Sequence, residues 1–135
     1  MSAPALQRDL VILACAISAG IHAALTPEHF REGAGAGGGF LAAAVLLAAL
    51  AFVLTRTPSA TATAVAALTF GGLVASYALA VTTGVPLLHP AVEPVEGLAL
   101  STKAIEVVGL LAALRQLRRE RRTAFQPLQP KGIPA

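Results

Sequence analysis

The sequence predicts an all-α integral membrane protein, a bundle of four spanning helices with both termini in the cytoplasm. Three observations carry this. The 135 residues are 56% hydrophobic and 13% charged, with a mean hydropathy of +0.72, far from the balance of a soluble globular domain. The apolar residues fall into four runs separated by Pro, Gly and charged residues. Most of the basic residues fall on one side of the arrangement that those runs create. The same composition excludes a disordered chain, a nucleic-acid reader with a broad basic surface, and a disulfide scaffold, since Cys15 is the single cysteine. A soluble bundle of such helices would need polar outer faces, and the runs offer none.

The first run extends from residue 6 or 10 to 25 and gives a helix over about 8–25, closed by Pro27, which disfavours helix at the residue before it. The second begins within Gly37-Gly38-Gly39-Phe40 and closes at Leu54, ahead of Arg56 and Pro58, for a helix over about 37–55. The third covers 60–83 and stops at Gly84-Val85-Pro86. The fourth starts at 95 or 97 and gives a helix over about 97–116, leading into a basic cytoplasmic tail over 115–135. A hydrocarbon core of about 30 Å needs about 20 helical residues at about 1.5 Å each. All four reach that length if the Gly-rich stretch joins the second helix, because Phe40 to Leu54 alone spans only about 23 Å. Residues 1–135 thus form a single domain.

Two targeting signals compete with the first helix. Ile12-Leu13-Ala14-Cys15 has the outline of a lipoprotein cleavage box, but the apolar run before it is too short and Asp9 interrupts the leader. Arg8 ahead of an apolar stretch also suits a cleaved signal peptide; small residues occur throughout and mark no particular site, so an uncleaved helix is expected.

Placing both termini inside puts Arg8, Arg56, Arg115, Arg118, Arg119, Arg121, Arg122 and Lys131 in the cytoplasm, eight of the ten basic residues. Arg31 is then in an outer loop and Lys103 in the fourth span. The location is a plasma (inner) membrane, multi-pass, with the lipid bilayer as first partner and no nucleic acid. The arginine tail serves as a topological anchor on anionic lipid, at about 1 kcal/mol per residue near the surface.

This orientation gathers His29, His89, Glu28, Glu93 and Glu96 in the outer loops. Carboxylate and imidazole together suit Zn²⁺, Cu²⁺ or Fe²⁺, which makes these five the candidate metal ligands. Against them, loop ends at a membrane surface are ordinarily polar, and no spacing matches a motif such as H-E-x-x-H. Pro27-Glu28 after Thr26 also suits a short interfacial helix with Thr26 as N-cap.

Inside the spans lie His22, Tyr77, Lys103 and Glu106, and ionisable groups at such depth usually face the bundle interior or a cavity. Counted from the expected outer helix ends, His22 is about 6 Å deep, Lys103 about 9 Å, Tyr77 about 10 Å and Glu106 about 13 Å. Lys103 and Glu106 are three apart and can pair on one face. Ser18 is one turn from His22, and Thr102 one turn from Glu106, which widens each polar stripe. Three readings stand side by side: a structural ion pair; a polar pocket opening toward the outer loops for a proton, a cation or a polar head group such as a quinone ring; or Lys103 simply snorkelling outward.

Rows at four-residue spacing, Ala16, Gly20 and Ala24, then Gly72, Ser76 and Ala80, then Ile105, Gly109 and Ala113, point to close helix contact within the bundle, with a membrane protein partner, or in a homo-oligomer. A short echo links Pro27-Glu28-His29 with Pro86-Leu87-Leu88-His89, as two parallel hairpins would.

Ser18-Ala19-Gly20-Ile21-His22, followed by Pro27-Glu28-His29-Phe30, resembles the opening of the DoxX-like family of small four-helix bacterial membrane proteins. The likeness covers roughly the first thirty residues and the four-helix plan; residues 89–96 have no counterpart in it. The resemblance implies an accessory membrane subunit of quinone-linked or redox-stress systems in a bacterial inner membrane, with His22 as the residue carried over. The functional expectation is a non-enzymatic accessory or binding subunit with its pocket around His22, Tyr77, Lys103 and Glu106. The alternative is a proton-coupled carrier or quinone-linked oxidoreductase component using His22 and Glu106, with a quinone or a divalent metal as the cofactor.

Overall fold

The computed structural model describes residues 3–85 and 92–124. They form four helices, α1 (Ala3–Glu32), α2 (Ala34–Arg56), α3 (Ala60–Thr82) and α4 (Gly97–Ala124), each long and apolar enough to cross a membrane. At about 1.5 Å per residue, α2 and α3 with 23 residues each are about 34 Å long. The Gly-rich stretch is therefore helical, and it supplies the length that Phe40 to Leu54 lacks.

Several boundaries lie beyond the sequence expectation: α1 begins at Ala3 rather than 8 and α2 at Ala34 rather than 37, and two helix ends differ further. The first helix does not end at Pro27 but runs on to Glu32. A proline this close to a C-terminus removes one backbone donor, and the turn around it is held by other groups: Thr26 Oγ1 donates to the His22 carbonyl at 2.7 Å, and Gly33 N to the His29 carbonyl at 3.0 Å. Thr26 thus caps no separate interfacial helix. The fourth helix continues through the arginines to Ala124, since Arg, Gln, Leu and Glu are good helix formers and Gln116 Nε2 donates to Glu120 Oε1 one turn on.

Gly33 is the single residue between α1 and α2, so the two form a tight antiparallel hairpin. Phe30 lies so close over Gly37 that no side chain fits at 37. At the other end Ser59 caps α3, its hydroxyl accepting from Ala62 N at 3.1 Å. Thr83 and Gly84 close α3, with Gly84 at φ 73°, the left-handed conformation that suits glycine after a helix. Glu93 N then donates to the Ala80 carbonyl at 3.0 Å, tying the segment before α4 to the end of α3.

Helix α1 packs along both α2 and α4, α3 packs on α4, and α2 and α3 touch little, giving the order α2, α1, α4, α3 around the bundle. The core combines Val11, Ala14 and Cys15 with Leu47, Leu54, Ala66, Phe70 and Ala113. Its tightest point is Gly109: a Cβ there would lie 2.7 Å from both Ala14 Cβ and Phe70 Cε2. Of the small-residue rows, Ala80, Gly109 and Ala113 are inside, whereas Ala16, Gly20, Ala24, Gly72 and Ser76 are exposed on the outside of the bundle. Helix α1 meets its neighbours through Ala14, Cys15, Ser18, Ala19 and His22 instead.

Candidate functional site: a buried polar cluster across three helices

The cluster is built where α1 and α4 cross. Ser18 and His22 are one turn apart on the buried stripe of α1, and Lys103 and Glu106 three apart on α4. Because α1 extends to Glu32, His22 lies about 15 Å from its end, level with Glu106, which is about 14 Å from Gly97 at about 1.5 Å per residue. The two helices therefore bring these residues to the same height rather than staggering them by several ångströms.

Glu106 is at the centre with no exposed surface. Its Oε2 accepts from Lys103 Nζ at 2.6 Å, and its Oε1 from Ser18 Oγ at 2.8 Å. His22 Nε2 lies 3.9 Å from the same Oε1. The tautomer of His22 follows from its other nitrogen: Nδ1 is 2.9 Å from the Ser18 carbonyl, which can only accept, so Nδ1 carries the hydrogen. Nε2 is then the nitrogen free to take up or release a proton, and it faces the carboxylate. Ser18 spends its hydroxyl hydrogen on Glu106, so it acts as a donor that holds the carboxylate.

Lys103 extends the cluster to α3. Its Nζ lies 5.6 Å from the centre of the Tyr77 ring, a distance at which cation and π-face attract. The Tyr77 hydroxyl is buried and has no hydrogen-bond partner among the described residues. The four residues singled out from the sequence thus meet as a chain, His22 to Glu106 to Lys103 to Tyr77, and Ser18 is the added link between α1 and α4. Thr102, expected to widen the stripe, turns its hydroxyl back to the Leu98 carbonyl at 2.8 Å.

Phe40 escaped the sequence reading. Its ring stacks on His29 at 3.5 Å between centroids and lies 5.2 Å from His22, closing the cluster from α2. The signal for it was its place directly after the glycines, at the start of α2, which folds back along α1. His29 also donates from Nδ1 to the Leu25 carbonyl at 2.9 Å and has Glu32 Oε2 4.0 Å from Nε2. Of the other candidate metal ligands, Glu28 pairs with Arg31 at 2.6 Å, Glu93 and Glu96 lie in the segment before α4, and His89 lies outside the described residues. Among the described residues no three His, Cys, Asp or Glu side chains form a group able to hold a metal ion.

Chemically, the arrangement offers one carboxylate with a cation, a hydroxyl and an imidazole around it, in an interior shielded by apolar helices. Comparison with family models, with curated proteins and with solved structures finds no match for the chain.

Proposed function

We propose that this chain is a multi-pass protein of a bacterial plasma membrane with both termini in the cytoplasm, and that it works as a non-enzymatic accessory or binding subunit through the cluster around Glu106. The observation that carries this is a carboxylate without exposed surface, on a helix long and apolar enough to span a membrane, partnered by residues of a second such helix. Ionisable groups at that depth are expensive and are functional-site candidates by default. The DoxX-like opening of α1 supports the same reading, with a quinone-linked or redox-stress system as the setting. Large apolar side chains facing outward, among them Val45, Phe52 and Leu68, suit a lipid surround.

Purification of the tagged full chain from mild detergent, beside Glu106→Gln and His22→Asn, tests this. The expected result is a small molecule or membrane protein that copurifies with the wild type and is lost from the variants while their helicity and size are unchanged. Identical copurification from all three overturns the binding-subunit reading.

A second reading, proton coupling, is favoured by one observation, the approach of His22 Nε2 to the carboxylate that Ser18 and Lys103 hold. An imidazole nitrogen and a carboxylate can each take up and release a proton, and here they face each other. Proton uptake in proteoliposomes that vanishes in Glu106→Gln, with copurification unchanged, selects it over the first.

A further inference from the structure

The opposite end of the bundle carries a second constellation. Arg115, Arg118, Arg119 and Arg122 follow the spacing of a single helical stripe, and that stripe turns toward α1. Together with Gln7 of α1 they line a cleft of about 190 Å³. One water occupies about 30 Å³ of liquid, so the cleft has room for a phosphate group. Arg115, Arg118 and Arg122 make no ion pair with a described residue. Glu120 lines the neighbouring cleft and accepts from Gln116.

A topological anchor needs positive charge but no particular geometry. Here Arg115, Arg118 and Arg122 hold like charges one turn apart on one face, a mild repulsion that an anion bound among them would offset. Guanidinium groups present forked donors that match phosphate oxygens in pairs, and Gln7 of α1 borders the same cleft. The stripe also begins at Arg115, directly after the apolar run 107–114, near the height where a helix leaves hydrocarbon for head groups.

We propose that this cleft is a phosphate-recognition site, taking either the phosphodiester of an anionic lipid head group or a soluble phosphate compound. The lipid source rests on the membrane reading above; the soluble source does not.

The test uses the full chain in neutral detergent, titrated in separate arms with phosphatidylglycerol mixed micelles and with inorganic phosphate, and followed by thermal stability and by native mass spectrometry. Saturable binding in either arm, weakened roughly tenfold or more in both R118Q/R122Q and the charge-preserving R118K/R122K, is the expected result, because lysine keeps the charge and loses the fork. Saturation by phosphatidylglycerol alone identifies the lipid source; saturation by phosphate identifies the soluble one. Binding that never saturates, that R118Q/R122Q leaves intact, or that R118K/R122K fully retains overturns the site, the last by reducing it to bulk charge. None of these outcomes depends on Glu106, so this proposal and the cluster reading fail separately.

Discussion

Both oxygens of Glu106 are engaged, Oε2 by Lys103 at 2.6 Å and Oε1 by Ser18 at 2.8 Å, and removing one partner differs in kind from removing the pair. Lys103→Met keeps the length of the side chain and leaves a carboxylate with no exposed surface and no cation. Losing one partner of a buried pair is strongly destabilising, by about 3–5 kcal/mol at its largest, and proton uptake by the carboxyl relieves part of that. A loss of about 2 kcal/mol or more is expected for Lys103→Met. Adding Glu106→Gln removes the stranded charge while the amide can still accept from Ser18, so K103M/E106Q should recover most of that loss. Unfolding midpoints in denaturant-titrated micelles measure all four species, and strictly additive losses would mean that the two side chains do not depend on each other.

At the scale of the helices, the packing is decided by where a side chain is missing. A methyl at 109 would meet Ala14 Cβ at 2.7 Å and two carbons of the Phe70 ring, at 2.7 and 2.8 Å, and both residues are buried with nowhere to move. Overpacking of this kind costs about 1–3 kcal/mol, against a helix-propensity gain of about 1 kcal/mol for Gly→Ala. Gly109→Ala should therefore lower the unfolding midpoint and Gly109→Leu should prevent α1 and α3 from closing on α4. Gly20, with nothing within 4 Å, makes the control, and Gly20→Ala should leave the midpoint unchanged or raise it. Equal losses at both positions would remove the close contact as the explanation. The contrast also shows what was legible in the sequence. The four helices and the three-residue pairing of Lys103 with Glu106 follow from hydropathy and helical spacing, which are local properties. Which small residues face inward is not local: the Gly20 and Gly109 rows look alike in sequence, and the choice falls to the helix that comes to lie opposite. Pro27 shows the same limit: the hairpin that seats Phe30 over Gly37 exists only once α2 folds back along α1, and the helix runs through the proline.

For the molecule as a whole, the turn between α1 and α2 and the segment before α4 share one end of the bundle, and the α2–α3 turn, the arginine stripe and the start of α1 share the other. The charge is divided in the same way. Arg8, Arg56 and the five arginines of α4 stand at the second end, while the first carries Arg31 paired to Glu28 at 2.6 Å. Positive charge is retained on the cytoplasmic side during insertion, so the second end should be the cytoplasmic one. Cys15 is buried in the core, and Cys15→Ala gives a cysteine-free background in which exposed positions can be probed singly. Glu28→Cys at the first end should react with a membrane-impermeant maleimide in intact cells. Thr57→Cys, exposed at the α2–α3 turn, should react only after the membrane is opened. The reverse pattern would invert the orientation, and reaction of both in intact cells would mean that α2 does not separate the two turns across a membrane. Either result would also relocate the arginine cleft, because an anionic inner leaflet can reach it only from the cytoplasmic side.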